Sequence, residues 1–253
     1  MKKSFIRLAT DTDMDSIRSW LIEEASRETH GNFLCNWEIT MRNHRDRRVL
    51  VYIDGPTQKP VAYQWGGLIH PGILQVQSAY RRRGIGKKLA MHCMSIASKK
   101  NECLLFIKCK PSSSVPFWQS MGFTMRPEND GAIHAYKTLP KLLELPKDGT
   151  PIRATIRFFP EEIIWNRNSK ALVKKSPKAQ KTNDGIIHLG ERVLFHREEY
   201  PDAHDVVIEL KLNGRRIHFA KTKHKESIQL GVKTCSNGYF IDRIWIPRTY
   251  NTK

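Results

Sequence analysis

The stretch Ile73-Leu74-Gln75-Val76-Gln77-Ser78-Ala79-Tyr80-Arg81-Arg82-Arg83-Gly84-Ile85-Gly86-Lys87-Lys88-Leu89-Ala90 decides how this chain is read. Its first four residues form a short apolar run of strand type. From Ile85 onward, Ile85, Leu89, Cys93 and Ile96, with Ala90 and Ala97 alongside, have the spacing of an amphipathic helix. Between strand and helix lie three arginines and two glycines. Glycine lets backbone approach a ligand closely. The first turn of a helix presents N–H groups that have no intrahelical partner, and the helix dipole adds positive charge there. A diphosphate fits such a turn, and Arg81, Arg82, Arg83 and Lys87 strengthen its field.

Upstream, Phe5–Leu8 reads as a strand, followed by Asp13 as a helix cap and by Met14, Ile17, Leu21 and Ala25 at helical spacing. A loop containing Asn36, Trp37 and Glu38 comes next. Residues 49–53 and 61–65, joined by Asp54-Gly55-Pro56, read as a hairpin. Gly66-Gly67 marks either a bulge with close backbone approach or a plain turn. Downstream, residues 104–107 read as a buried strand, 112–121 as a second helix ending at Gly122, and 132–139 as a last strand. The expected order is β, α, ββ, β, α, β, α, β.

With those elements placed, the chain resembles the GNAT superfamily of acyl-CoA-dependent N-acyltransferases. The family's pyrophosphate pattern (Gln or Arg, two residues, Gly, one residue, Gly or Ala) is met by Arg81, Gly84 and Gly86. Leu74-Gln75-Val76 matches the strand before the loop. Phe117-Trp118-Gln119-Ser120-Met121-Gly122-Phe123 matches the closing helix and turn, so the likeness covers residues 5–140. It implies an α/β fold with a mixed, splayed central sheet flanked by helices, and acetyl-CoA as cofactor in the gap between Ile73–Val76 and residues 104–107. It further implies that Val76 and Gln77 pair with pantetheine through their backbone and polarise the thioester carbonyl. The turn from Arg81 through Arg82, Arg83, Gly84, Ile85 and Gly86 to Lys87 would take the diphosphate, and Ser113, Ser114, Phe117 and Trp118 would flank the thiol arm.

Two positions depart from the family's pattern. A tyrosine that often protonates the departing thiolate is matched here by Trp118, whose indole donates a hydrogen bond but is no practical proton source. A thiolate of pKa about 8.5 leaves tolerably without an acid, and Tyr80 and Tyr136 are substitutes. The strand before the loop also lacks the carboxylate that some relatives use to deprotonate the acceptor amine. Glu23, Glu24, Glu38, His70 and His134 remain, with His70 closest in sequence to the cofactor strand and titratable near neutrality.

The rest of the sequence says less. Lys plus Arg outnumber Asp plus Glu by 43 to 25, a charge that attracts polyanions or serves solubility. It divides evenly, since residues 1–140 hold 21 basic and 12 acidic side chains and residues 141–253 hold 22 and 13, or +9 in each part. Ile152, Ala154, Ile156 and Phe158 alternate with Arg153, Thr155 and Arg157, the period of a strand with a cationic outer face. Residues 167–185, rich in lysine, read as a mobile basic linker or a long solvated loop. The stretch 186–247 reads as all-β, its clearest element being a hairpin at Asn213-Gly214 between residues 206–212 and 217–220. The expected domains are 1–145, a GNAT acetyl-CoA-binding catalytic domain; 146–185, a strand and linker; and 186–253, a small all-β domain. Trp165, Tyr239, Phe240 and Trp245 either form a base-stacking platform or fill the core of that β domain, with the core reading favoured.

No run of apolar residues is long enough for a signal peptide or membrane span, and five cysteines without a CxxC pair point to reduced thiols and a cytoplasmic protein. The histidines, His188, His196, His204, His218 and His224 among them, have no metal-binding spacing. The activity expected is acetyl transfer from acetyl-CoA to a primary amine, by direct attack, on a macromolecular or polyanion-associated acceptor. The rivals are an RNA- or DNA-binding protein with a regulatory or inactive GNAT fold, a toxin acetylating aminoacyl-tRNA, and small-molecule acetylation. The sequence leaves the oligomeric state open.

Overall fold

The computed structural model describes residues 2–27, 32–203, 205–236 and 238–246, so His204 and Pro247 lie outside the described residues. The chain divides into two compact units. The first holds Met1–Asn101 and Leu105–Lys137, and the second Glu102–Leu104 and Thr138–Lys253.

The first unit opens with β1 (Phe5–Leu8) and α1 (Asp11–Arg27). Thr10, not Asp13, caps this helix. The Thr10 N–H donates to Asp13 Oδ2 at 2.7 Å, and the Asp13 N–H donates back to Thr10 Oγ1 at 3.3 Å, a reciprocal capping box. Burial alone would raise the Asp13 pKa, but hydrogen bonds from Arg7 and Thr10 together hold it below the usual carboxylate range. Met14, Ile17, Trp20 and Leu21 are buried, each worth about 1.5–3 kcal/mol of transfer free energy. The stripe then ends on Glu24, which is buried, whereas Ala25 is exposed.

The expected loop at residues 36–38 is instead a 3-10 turn, Phe33–Asn36, running into α2 (Trp37–Arg45). Trp65 Nε1 donates to Thr40 Oγ1 at 3.1 Å and ties that helix to the sheet. Strands β2 (Leu50–Ile53), β3 (Pro60–Trp65) and β4 (Ile73–Val76) complete an antiparallel sheet of order β1-β2-β3-β4, with β4 at its edge. Met14, Ile17, Leu21, Tyr63 and Ile73 pack on one face. Ile85 and Leu89 of α3 (Ile85–Lys99) pack on the other with Tyr52, Val61 and Ala62.

A second sheet, of order β5-β7-β6, contains β5 (Leu104–Lys108), β6 (Thr124–Pro127) and β7 (Ile133–Thr138). Between β5 and β6, a 3-10 turn at Ser112–Ser114 leads into α4 (Val115–Ser120). Relative to the expected order, α2 and β6 are additional.

The second unit contains β8 (Thr150–Pro151), β9 (Ala154–Pro160), β10 (Val173–Lys175), β11 (Ala179–Lys181), β12 (Ile186–His196), β13 (Val206–Leu212), β14 (Arg215–Lys221), α5 (Lys225–Gln229), β15 (Val232–Cys235) and β16 (Gly238–Trp245). They form two sheets, β10-β9-β13-β14 and β15-β16-β12-β11-β8. Residues 167–185 are therefore no linker, because β10 pairs with β9 and β11 with both β12 and β8. Lysines faced solvent in the sequence pattern while the backbone joined both ladders. Asn213 (φ 48°) and Gly214 (φ 86°) make the expected hairpin turn, and helix returns only in the five residues of α5. Ile156, Phe158, Phe195, Ile208 and Ile241 are among the residues of the core between the sheets. Phe240 is buried beneath the Arg192 guanidinium, 3.8 Å from its ring centroid, and Tyr239 packs against the core, so these two build no stacking platform.

Among the described residues no helix is long and apolar enough to cross a membrane, and no cluster of His, Cys, Asp or Glu could hold a metal. No disulfide joins any of the five cysteines.

Candidate active site

The two sheets of the first unit meet at one point and part beyond it. Gly66 (φ 86°) turns the chain after β3 so tightly that a Cβ there would sit 2.6 Å from Gly72 Cα, which demands glycine. The segment after this turn bridges to β5: the Phe106 N–H donates to Leu68 O at 3.1 Å, and the His70 N–H to Phe106 O at 2.7 Å. Ile69 and Phe106 form this parallel bridge. A cleft of about 90 Å³ lies beside the bridge, lined by Gln64, His70, Leu74, Ser114, Phe117 and Trp118 among others.

The edge of β4 faces that opening. Gln77 N–H donates to Val61 O at 2.9 Å, and Val76 lies opposite Ala62. Antiparallel pairs alternate between bonded and non-bonded, so the amides of Leu74 and Val76 point away from β3. Of the two residues expected to meet pantetheine, only Val76 therefore offers its N–H; that of Gln77 is committed to β3. The Val76 carbonyl accepts from Arg81 Nε at 3.2 Å.

Beyond β4, a 3-10 turn at Ser78–Tyr80 leads to Gly84, the N-cap of α3, at φ 75°. Arg81, Arg82, Arg83 and Gly84 are all exposed. A Cβ at Gly84 would meet nothing within 4 Å. The Lys88 N–H donates to Gly84 O, while among the described residues the N–H groups of Gly84, Ile85, Gly86 and Lys87 have no protein acceptor. Gly86 sits between Val76 and Phe117, with a Cβ there 3.5 and 3.6 Å from their side chains. Free donors thus stand in two places, the Val76 N–H at the edge of β4 and the N–H groups of Gly84 to Lys87 in the first turn of α3, separated by the bonded amides of Gln77, Ser78, Tyr80 and Arg81.

Two polar side-chain atoms in the cleft lack partners. Ser114 Oγ is buried without a hydrogen bond, and so is Gln64 Nε2, although Gln64 Oε1 accepts from Cys93 Sγ at 3.1 Å. Such orphaned groups carry a desolvation cost of about 1–3 kcal/mol until something bonds them. Ser113 is exposed, whereas Trp118 is buried and stacks edge-on between Phe117 (4.8 Å) and Phe123 (5.2 Å).

The expected acid and base candidates fall in different places. His70 lines the cleft, 6.0 Å from the His134 ring, and His134 Nδ1 lies 3.1 Å from Glu128 Oε1. Partial desolvation of the ring, on a residue that is otherwise exposed, then His134 and Lys108, hold His70 below the ordinary imidazole range. Tyr80 does not line the cleft: its ring packs against the Ile85 and Leu89 cluster and carries the Arg83 guanidinium at 4.8 Å. Tyr136 lies opposite Thr124 in the β6–β7 pair, also outside the cleft lining.

Glu24 gains importance from the fold. It is 6% exposed, its Oε1 accepts the Ser78 N–H at the end of β4, and its Oε2 has no hydrogen-bond partner. Gln75, on the same strand, accepts from the Phe33 N–H at 3.1 Å and the Tyr63 hydroxyl at 3.4 Å. The strand that lacks a carboxylate in sequence is supplied with one by α1. The spacing Ile17, Leu21, Glu24 carried that signal, because the three share one helix face.

Residues 14–123 match the model of the Acetyltransferase (GNAT) family. No curated protein matches the chain. Among solved structures, a GNAT-family acetyltransferase from Staphylococcus aureus Mu50 is 15% identical, covering 54% of this chain and 99% of its own at a TM-score of 0.44. A ribosomal-protein-alanine N-acetyltransferase from Brucella melitensis is 19% identical (53% and 99% covered, TM-score 0.41). The PaiA N-acetyltransferase of Thermoplasma acidophilum, solved with coenzyme A, is 15% identical (54% and 99%, TM-score 0.40). Likeness at this level says nothing of the acceptor. What the family match establishes is that residues 14–123 form a GNAT acetyltransferase domain, an acetyl-CoA-dependent acyltransferase.

Proposed function

We propose that the protein moves an acetyl group from acetyl-CoA to a primary amine by direct attack, and that this amine belongs to a macromolecular or polyanion-associated acceptor. The observation that carries the reading is the pair of unpartnered donor groups, the Val76 N–H at the open edge of β4 and the N–H groups of Gly84 to Lys87 in the first turn of α3. When bound, acetyl-CoA supplies an activated thioester.

The chain's own residues do the rest. The N–H groups of Gly84 to Lys87, within the field of Arg81, Arg82 and Arg83, hold the diphosphate. Ser114 Oγ and Gln64 Nε2 bond the amides or carbonyls of the arm lying in the cleft. The Val76 N–H, directed away from β3 and without a protein acceptor, would be the donor that polarises the thioester carbonyl. Phe117 and Trp118 keep water from the thiol arm. Glu24, whose Oε1 holds the Ser78 N–H at the end of β4, would accept a proton through Oε2 from the incoming ammonium, a group of pKa about 10 that must be neutral to attack; His70, in the lining of the cleft, is a second proton acceptor. The excess of +9 in residues 141–253 favours an acceptor carried by a polyanion.

Incubation with acetyl-labelled acetyl-CoA and fractionated cell extract tests this reading. Label is expected in a macromolecular fraction, in a bond stable to hydroxylamine as an amide is. Label recovered only as free acetate, or only in small metabolites, contradicts the corresponding part of the proposal.

A further inference from the structure

The sheet β10-β9-β13-β14 has two unlike faces. Ala154, Ile156, Phe158, Ile208, Leu210 and Leu212 point into the core of the second unit. By the two-residue period of strands, Thr155, Arg157 and Phe159 of β9 and Val207, Glu209 and Lys211 of β13 point outward. The register sets Lys174 beside Arg157, Arg157 beside Glu209, Glu209 beside Phe219, and Lys211 beside Arg216.

Four cations therefore share this face, three of them around one carboxylate. Glu209, 5% exposed, lies 3.5 Å from Arg157 Nη1, 3.7 Å from Lys211 Nζ and 3.9 Å from Arg216 Nη1. None of those separations is a tight ion pair, and Glu209 Oε2 and Arg157 Nε make no hydrogen bond. One carboxylate offsets one of these three positive charges and leaves the surplus on the face. A fifth, Lys221, is taken up by Glu161.

The aromatic content of this face is arranged to stack. Arg216 lies over the half-buried Phe219 ring at 5.2 Å. The 3-10 turn Glu161–Ile164 covers the apolar end of the face, where Ile163 packs on Phe159 and Val207, and the residue that follows, Trp165, stands 70% exposed.

We propose that this face binds single-stranded nucleic acid, its phosphates lying along Lys174, Arg157, Lys211 and Arg216 and its bases stacking on Trp165 and Phe219. Geometry selects a single strand over a duplex. Four strands spaced by about 4.8 Å make a surface roughly 14 Å wide, too broad to enter a major groove of about 12 Å. Flat cationic surfaces with exposed rings hold splayed bases instead. The charge pattern is complementary to a row of phosphates and not to an apolar ligand. Association at this face stands apart from acetyl transfer, since its test reads binding alone.

Fluorescence anisotropy of the full chain with a 5′-fluorescein 15-mer of oligouridylate or oligothymidylate, titrated at several salt concentrations, provides the test. Lys174→Ala combined with Arg216→Ala is expected to weaken binding at least tenfold at low salt. It should also reduce the slope of log K against log salt by about 1.4, at about 0.7 per phosphate contact on a single strand. Trp165→Ala should weaken binding while leaving the slope unchanged. Lys225→Ala with Lys233→Ala, an equal charge change at exposed positions elsewhere in the same unit, should have less than a twofold effect. Failure of the unaltered protein to bind at low salt, an equal loss in the control pair, or displacement by a 15-base-pair duplex or by polyglutamate as efficiently as by unlabelled oligonucleotide would each overturn the proposal.

Discussion

Replacing Gly84 by glutamate would put a carboxylate on the turn proposed to hold the diphosphate, and the size of the effect follows from the openness of the position and Coulomb's law. The position is open: a Cβ there would meet no atom within 4 Å, and φ is 75°. An L side chain at that φ costs about 1–2 kcal/mol of backbone strain, within a typical stability of about 5–15 kcal/mol, so the domain still folds. Two diphosphate charges about 5 Å from the new carboxylate repel it by about 1.7 kcal/mol even at the dielectric of water, which is a loss of about 20-fold in affinity. A lower effective dielectric at the helix terminus makes the loss greater. Gly84→Gln carries the same strain and nearly the same volume without the charge. Isothermal titration with acetyl-CoA should therefore show Gly84→Glu binding at least 20-fold more weakly than Gly84→Gln, with the gap narrowing as salt is raised. Equal affinities for the two variants would refute the placement of the diphosphate on this turn.

Other consequences can be measured separately. Glu24→Gln keeps an oxygen for the Ser78 N–H but cannot take a proton, so the rate with the acceptor found in extract should fall about 10²–10⁴-fold at neutral pH while acetyl-CoA affinity stays within twofold; an unchanged rate removes Glu24 from the mechanism. Ser114→Ala removes the bond proposed between Ser114 Oγ and the cofactor arm and should weaken acetyl-CoA binding by about 2- to 10-fold, whereas unaltered affinity in calorimetry means that Ser114 does not touch it. In the second unit, burial pushes His196 down to about 4. Because its unfolded value is near 6.5, the unfolded chain binds the proton first and stability is lost as pH falls below 6.5, by about 2 kcal/mol between pH 7 and 5. Urea midpoints at the two pH values should shift less in His196→Gln than in the unaltered chain, and equal shifts would contradict this.

Much of the first unit was legible because its signals are local. Strand, arginine-glycine turn and helix follow one another within eighteen residues, and the turn's conformational demand at Gly84 is met by the residue itself. The hairpin at Asn213-Gly214 was legible for the same reason, both positions having positive φ. What escaped the sequence depends on partners distant in the chain. Helix α2 is short and charged, and is held by Trp65 bonding Thr40, a contact across 25 residues. The lysine-rich stretch at 167–185 has the composition of a solvated linker, yet its backbone pairs with β9, β12 and β8; composition reports side-chain exposure and says little about ladder hydrogen bonds. Glu24 could be counted onto the buried face of α1, but only the meeting of that helix with Ser78 gives the carboxylate a role. Tyr80 and Tyr136 carry suitable chemistry and lie near the right segments in sequence, but packing turns Tyr80 onto the α3 cluster and pairing holds Tyr136 in the β6–β7 ladder.

Amide-resolved NMR titration of the protein with coenzyme A tests the two donor groups most directly. Saturating ligand should move the N–H resonances of Val76, Gly84, Ile85, Gly86 and Lys87 and leave that of Gln77, already bonded to Val61, comparatively still. Binding of coenzyme A with the Gly84 to Lys87 amides unmoved would contradict a cofactor seated on that turn.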